Sequence, residues 1–418
     1  MQKFLFALIF TIAGTTMFAQ KIDDVSDLMA KQQWDKAKDA VDKFLAVEKN
    51  AKNADGWYYK AHIYNTISKD EKFKSLVEDG RMESFNAYKK YLESDPKAIR
   101  GTLEQHVLLF DIYNGYFDQA AKNFNDKVYD KAADNFKKAL TIEEFIAGKN
   151  FIYNNFSFPS FDTSLVQNIA LSSYQAKNED EAVIWYQKLA DRKIAGKEYM
   201  EVYQFLVEYY NKKKDMPNRE KYIQLGRELY PANDYWCIVE LDDVDETDKK
   251  KLFAKYDELL GGKCGERYTL LFNYSVEMFN YAYMSDSKPA EYKDIQGKIE
   301  STLKKAIELN STPEANMLMA RHFYNMIYDL QDQQRAIKGT KPEDIKKKNE
   351  FKTLMIAKAD ILLPYAQKAY DIYDAKTNMR PVEKGNFKII TGILADAYDL
   401  KGDKAKSETY NKKKDSIE

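Results

Sequence analysis

The sequence predicts an all-α protein built from helix pairs, and three observations predict it. Tyrosine (31) and phenylalanine (23) are abundant among 418 residues, whereas glycine (16) and proline (9) are scarce, so long helices with few breakers are expected around aromatic packing residues. Between Tyr116 and Glu144, Ala120 and Phe124 fall on a first helix, and Ala132, Phe136, Ala139 and Leu140 share one face of a second that begins at Tyr129. Small, aromatic, small at i, i+4, i+7 lets two helices approach at the alanines while the ring fills the gap beside them. The same alternation then recurs along the chain, as a repeat array requires.

Met1-Gln2-Lys3 runs directly into the apolar stretch Phe4–Gly14, a positive residue followed by a short hydrophobic run, which reads as a secretory leader. Ala19 before Gln20 offers the small residue of a cleavage site, so residues 1–19 are expected to be removed and the mature chain exported, free in the periplasm or secreted. The alternative is an uncut N-terminal anchor helix. No cysteine lies near that junction, which argues against a lipid anchor, and no later stretch is long and apolar enough to span a bilayer. Lys and Arg total 65 against 66 Asp and Glu. Balanced, interspersed charge gives no broad field for steering to nucleic acid or acidic lipid.

Weaker copies of the repeat lie on both sides of the clear one. Trp34, Ala37, Val41 and Phe44 repeat the second-helix pattern; Trp57, Ala61 and Tyr64 open a unit whose partner is Ser84–Leu92, closed by Pro96. Ala170 and Tyr174 pair with Ala182, Tyr186 and Leu189, and Leu206–Tyr210 leads to Tyr222–Tyr230 and Pro231. Leu303–Ala306 leads to Met317–Tyr324, and the last copy runs from Leu394-Ala395-Asp396-Ala397-Tyr398 through the turn Lys401-Gly402-Asp403 to Lys404–Lys414. The pattern resembles the tetratricopeptide repeat, a helix–turn–helix unit of about 34 residues, in roughly seven to nine copies over most of the mature chain. An α-solenoid of variable period is the alternative and shares the architecture.

The resemblance, to exported bacterial members of that family, implies a right-handed solenoid of antiparallel helix pairs. It also implies a concave groove, lined by first helices, that binds an extended peptide or a partner helix. Carried onto this sequence, the groove would be lined by Tyr58, His62 and Asn65, then Asn114, Phe117 and Phe124, then Gln167 and Tyr174, with Gln204, Glu208, Asn211, Met317, Arg321 and Tyr324 extending it. That set lacks the Lys/Asn/Arg clamp by which some members grip a C-terminal carboxylate.

Two stretches interrupt the array. Phe145–Phe161 carries Phe145, Phe151, Tyr153, Phe156, Phe158, Pro159 and Phe161 among Asn and Ser. An aromatic loop of that kind either folds back over the helices or meets a partner, and Phe151, Tyr153, Phe156 and Phe158 are its contact candidates. Asp242–Asp248 is an acidic turn taken as the boundary between an N-terminal half, 20–241, and a C-terminal half, 242–418. It lacks the glycine and distal glutamate of a calcium loop, so its aspartates are expected to cap the following helix. Further on, Asp344–Ala375 reads as one long helix containing Pro364, and Tyr268, Phe272, Phe279 and Tyr283 share a core face while Tyr274 and Tyr281 either line a groove or cover a wide helix surface.

Cys237 and Cys264 fall at the same end of a helical hairpin expected near Asn233–Leu241 and Asp248–Leu260, so they are either bonded or two buried thiols. His62, His106 and His322 sit in separate repeats with no nucleophile or zinc spacing beside them. No phosphate loop is present. The sequence therefore reads as a non-catalytic scaffold or adaptor of the bacterial cell envelope. It would need no cofactor or metal, would hold a protein or peptide partner and be associated with an envelope complex; the alternative is a periplasmic glycan or peptide binder working through the aromatic loop.

Overall fold

The computed structural model describes residues 21–262, 264–285 and 287–417. The leader and its cleavage point lie outside them. The described residues form nineteen α-helices and four short 3-10 turns, and the chain divides into two compact units, Met1–Leu229 and Tyr230–Glu418.

In the first unit the helices pair as hairpins in chain order: α1 (Ile22–Ala30) with α2 (Trp34–Ala46), α3 (Ala54–Lys69) with α4 (Gly80–Ser94), and, after the short α5 (Ile99–Leu103), α6 (Val107–Asn125) with α7 (Tyr129–Gly148). Next come α8 (Thr163–Gln175) with α9 (Glu179–Ala190) and α10 (Met200–Lys212) with α11 (Met216–Leu229). The second unit begins with α12 (Tyr235–Ile238) and α13 (Lys249–Gly261). Its hairpins are α14 (Tyr268–Tyr283) with α15 (Tyr292–Leu309), α16 (Pro313–Ala336) with α17 (Pro342–Asp374), and α18 (Pro381–Leu400) with α19 (Lys404–Asp415). The eight hairpins are the paired-helix array the repeats predict, and within each unit successive hairpins pack on one another.

Alanines make this packing possible. Ala120, Ala132, Ala139, Ala170 and Ala182 have no exposed surface, and Phe136 fills the space between two of them at 4% exposure. Five hairpins turn in the same way. Gln32, Lys127, Lys177, Lys214 and Gly402 each take a positive φ, of 54°, 61°, 65°, 57° and 85°. The next residue donates its amide to a carbonyl five positions back, over 2.8 to 3.0 Å. This closes the helix C-terminus as a Schellman motif. In three of these turns the following Asn178, Asp215 or Asp403 caps the next helix through its side chain.

Several expectations shift. In the second unit the pairing register moves by one helix, because α16 packs most extensively on α17 and not on α15. The division between units falls at Leu229/Tyr230, ahead of the acidic turn, because Trp236 and Cys237 are buried and Cys237 belongs to the core of the second unit. α12 is a single turn. Asp248 caps α13 as expected, accepting from the Lys251 amide at 3.1 Å. α17 runs through Pro364. Tyr274 is 1% exposed and stacks on Tyr256 at 4.6 Å, so it belongs to the core of its unit. Of the expected core face only Phe279 is fully buried. Cys237 and Cys264 form a disulfide, with Cα atoms 5.9 Å apart.

Candidate functional site

The N-terminal groove residues are consumed by internal packing. Tyr58 is 7% exposed, with its hydroxyl on Glu104 at 2.5 Å and its ring 5.3 Å from Tyr91. Asn65 is 3% exposed and donates to Asp111 at 2.6 Å. His62 lies half-buried against the Tyr58 ring at 4.4 Å, and its Nε2 is 3.8 Å from Glu104; burial holds its pKa below the ordinary value. The chain returns through α5 and α6 and sets carboxylates beside all three, while His62 Nε2 and Asn65 Oδ1 keep no hydrogen-bond partner among the described residues. Phe117 packs between Tyr113 and Phe136, Phe124 lies against Tyr129, Gln167 donates to the Glu198 carbonyl at 3.3 Å, and Tyr174 is 40% exposed beside Phe205.

The aromatic loop is placed differently. α7 continues to Gly148, so Phe145 is helical and packs edge-on against Phe85 at 5.3 Å. Beyond it the chain folds back. Phe151 stacks on the buried His106 at 3.6 Å. Tyr153 and Phe156 then exchange both backbone hydrogen bonds, 3.0 and 2.9 Å, around Asn154 and Asn155, whose φ values are 48° and 64°. Two successive left-handed residues make a primed two-residue turn, and asparagine tolerates that conformation better than most side chains. The Gln105 side chain accepts from the Asn154 amide at 2.8 Å and ties the turn to the segment before α6.

This fold-back builds a cleft of about 400 Å³ between the loop and α6. Phe110, Tyr113, Tyr153, Phe156, Phe158 and Asp162 line it, together with Asn114, Asn154 and Pro159. The rings fix one another: Phe158 stacks on Phe110 at 5.6 Å and meets Tyr113 at 4.5 Å, while Phe156 lies 5.0 Å from Phe158 and remains 53% exposed. Beside Tyr113, Glu143 of α7 is 1% exposed, and its carboxyl is close enough to act on the tyrosine hydroxyl, whose pKa burial and then Glu143 raise. Burial, and then the Asp162 carboxylate, push Glu143 up to about 7. Of the sequence candidates, Asn114, Tyr153, Phe156 and Phe158 are thus brought together here.

A second concave surface lies in the second unit. Tyr324 of α16 donates its hydroxyl to Asp396 of α18, and this pair divides two adjoining clefts, of about 500 and 410 Å³. The larger is lined in part by Ile327, Tyr328, Gln331, Met355 and Leu400, with Tyr328 46% exposed. The smaller is lined by Arg321, Asn325, Lys388, Ile389, Gly392 and Lys414 beside that pair, with Ile389 47% exposed. Its three cations meet no carboxylate among the described residues: Lys388 donates to the Ile417 carbonyl and Lys414 to Asn411, both at 3.3 Å, and Arg321 lies over the Phe279 ring at 5.0 Å. Arg321 and Tyr324 were in the predicted groove. Asn325, Lys388 and Lys414 were missed, although Lys388, Gly392 and Asp396 recur at i, i+4, i+8 on the first helix of the last repeat. Met317 is buried.

Among the described residues, no group of three or more His, Cys, Asp or Glu is placed to hold a metal ion, and no helix is long and apolar enough to cross a membrane. Comparison with models of protein families gives no match, and comparison with curated proteins gives none either. Among solved structures, the chain is similar to that of a functional characterisation of Pseudomonas aeruginosa pilF (16% identity, 66% of this chain and 95% of that one, TM-score 0.24). It is also similar to the structure of Naa15/Naa10 bound to HypK-THB (12% identity, 93% and 68%, TM-score 0.21) and to that of the APC/C hetero-tetramer Cut9-Hcn1 (12% identity, 95% and 87%, TM-score 0.21).

Proposed function

We propose that the chain is a non-catalytic scaffold, exported to the cell envelope, which holds an extended segment of a protein partner along α16 and α18. The observation that carries this reading is the pair of adjoining clefts in the second unit. They run along two first helices, expose Tyr328 and Ile389 to solvent, and end in Arg321, Lys388 and Lys414, which meet no carboxylate among the described residues. Apolar contact along the groove gives a segment affinity, and an acidic residue at the basic end fixes its direction. The apolar run that follows Lys3 supports export, and the Cys237–Cys264 bond suits an oxidising compartment.

Selection of random extended peptides on the purified protein tests the reading. Bound sequences should combine apolar residues with Asp or Glu, and Arg321→Glu should weaken the selected peptides roughly tenfold while leaving the melting temperature in place. Peptides that bind equally well to Arg321→Glu and Tyr328→Ala would place the site elsewhere.

A further inference from the structure

The lining of the aromatic cleft in the first unit is one-sided in charge. Five rings and Asp162 face it, and none of its lining residues is lysine, arginine or histidine. Asp162 uses Oδ1 to accept from the Leu165 amide at 2.8 Å as the cap of α8, and its second oxygen has no donor among the described residues. Glu143 Oε2, buried behind Tyr113, likewise has no hydrogen-bond partner. One carboxylate with unfilled acceptor capacity, Asp162, therefore stands at a cleft walled by aromatic rings, and a second, Glu143, lies buried close enough for the Asp162 charge to raise its proton affinity. The exposed Phe156 is held there by the Tyr153–Phe156 turn, where an unanchored loop would have tucked its ring away.

We infer that this cleft binds an alkylammonium group. Aromatic rings carry negative faces, and rings gathered round a cation supply an attraction that a neutral guest of the same shape does not receive. The Asp162 carboxylate would accept from a protonated amine or balance a quaternary ammonium, and Glu143 would add its charge from behind Tyr113. A cleft of about 400 Å³ has room for such a head group and a short tail. The inference does not depend on the groove of the second unit.

The groups facing Glu143 are Tyr113 of α6, Asp162 before α8 and Glu144 beside it. A bound cation favours ionised Glu143, so the cleft should bind more tightly at pH 8 than at pH 6, and Glu143→Gln should flatten that dependence.

Calorimetric titration of the purified chain with choline, with a short lysine peptide, and with 3,3-dimethylbutan-1-ol, the neutral isostere of choline, tests the assignment. Either cation should bind at least roughly tenfold more tightly than the isostere. Choline ahead of the peptide points to a free small molecule, and the peptide ahead of choline to a lysine side chain. Asp162→Asn keeps a good helix cap while removing the charge, and Phe156→Ala removes an exposed ring; each should weaken the cation roughly fivefold or more at unchanged melting temperature. Equal binding of the isostere, binding of neutral oligosaccharides in place of both cations, or no binding at millimolar concentration would overturn it.

Discussion

The two units apply opposite chemistry to the same scaffold. In the first, a loop inserted between hairpins folds back to make an aromatic cleft whose one charged lining residue is Asp162, with Glu143 buried nearby. In the second, regular first helices leave a groove where Arg321, Lys388 and Lys414 meet no carboxylate among the described residues. Paired helices supply the frame in both cases, and a few residues on its surface set the sign of charge at each concave face. The units also differ in how they are secured, because the one disulfide among the described residues joins α12 to the segment after α13, in the second unit only.

That bond gives the largest expected effect. It spans 27 residues, and loop closure of that size stabilises the folded state by roughly 3–4 kcal/mol. Replacing Cys237 and Cys264 by serine should speed hydrogen exchange across α13 and α14 while α6 and α7 keep their protection. Equal loss in the two units would show that they do not unfold separately.

Titration should separate the units next, with effects on the order of 1–3 kcal/mol. Glu143 is raised from 4.5 to about 7, so between those values the unfolded chain gives up a proton that the folded unit keeps, and stability falls as pH rises. His322 of α16 has no exposed surface and lies 3.0 Å from the Tyr283 hydroxyl. Burial, with Lys358 nearby, pulls it from 6.5 down to about 4, so the unfolded chain takes a proton first and stability falls as pH drops through that window. Glu143→Gln should therefore gain on wild type as pH rises above 4.5, and His322→Gln as pH falls below 6.5, each followed by denaturant midpoints. Parallel curves for variant and wild type would mean that neither group titrates as its surroundings dictate.

How much of this was legible in the sequence follows from the range of the interactions. Helices and hairpins were, because alanine and ring spacing is local and the Lys401-Gly402-Asp403 turn names itself. The internal partners of Tyr58 and Asn65 were not legible, because Glu104 and Asp111 lie 46 positions away, and no periodicity reports such a distance. Register in the second unit slipped because α15 touches both α14 and α16, so its apolar face fits either pairing. The aromatic loop stood out by composition, and its fold-back depends on Asn154-Asn155, a short turn signal inside a stretch without strands to announce it.

The smallest contrast lies in the turns themselves. Four of the five shared hairpin turns have a lysine or glutamine in the left-handed conformation, all in the first unit, whereas the second unit has Gly402. A side chain there places Cβ near the following carbonyl at a cost of about 1–2 kcal/mol, of which glycine returns part through its freer unfolded chain. Lys177 is exposed, so Lys177→Gly removes little besides that strain. It should stabilise the first unit by about 0.5–1 kcal/mol, and Gly402→Lys should destabilise the second by a similar amount. Opposite shifts of the denaturation midpoint would fix the turn as the common element of both units. A loss at Lys177 as well would mean that unfolded-state entropy outweighs backbone strain at these turns, and that lysine suits them as well as glycine.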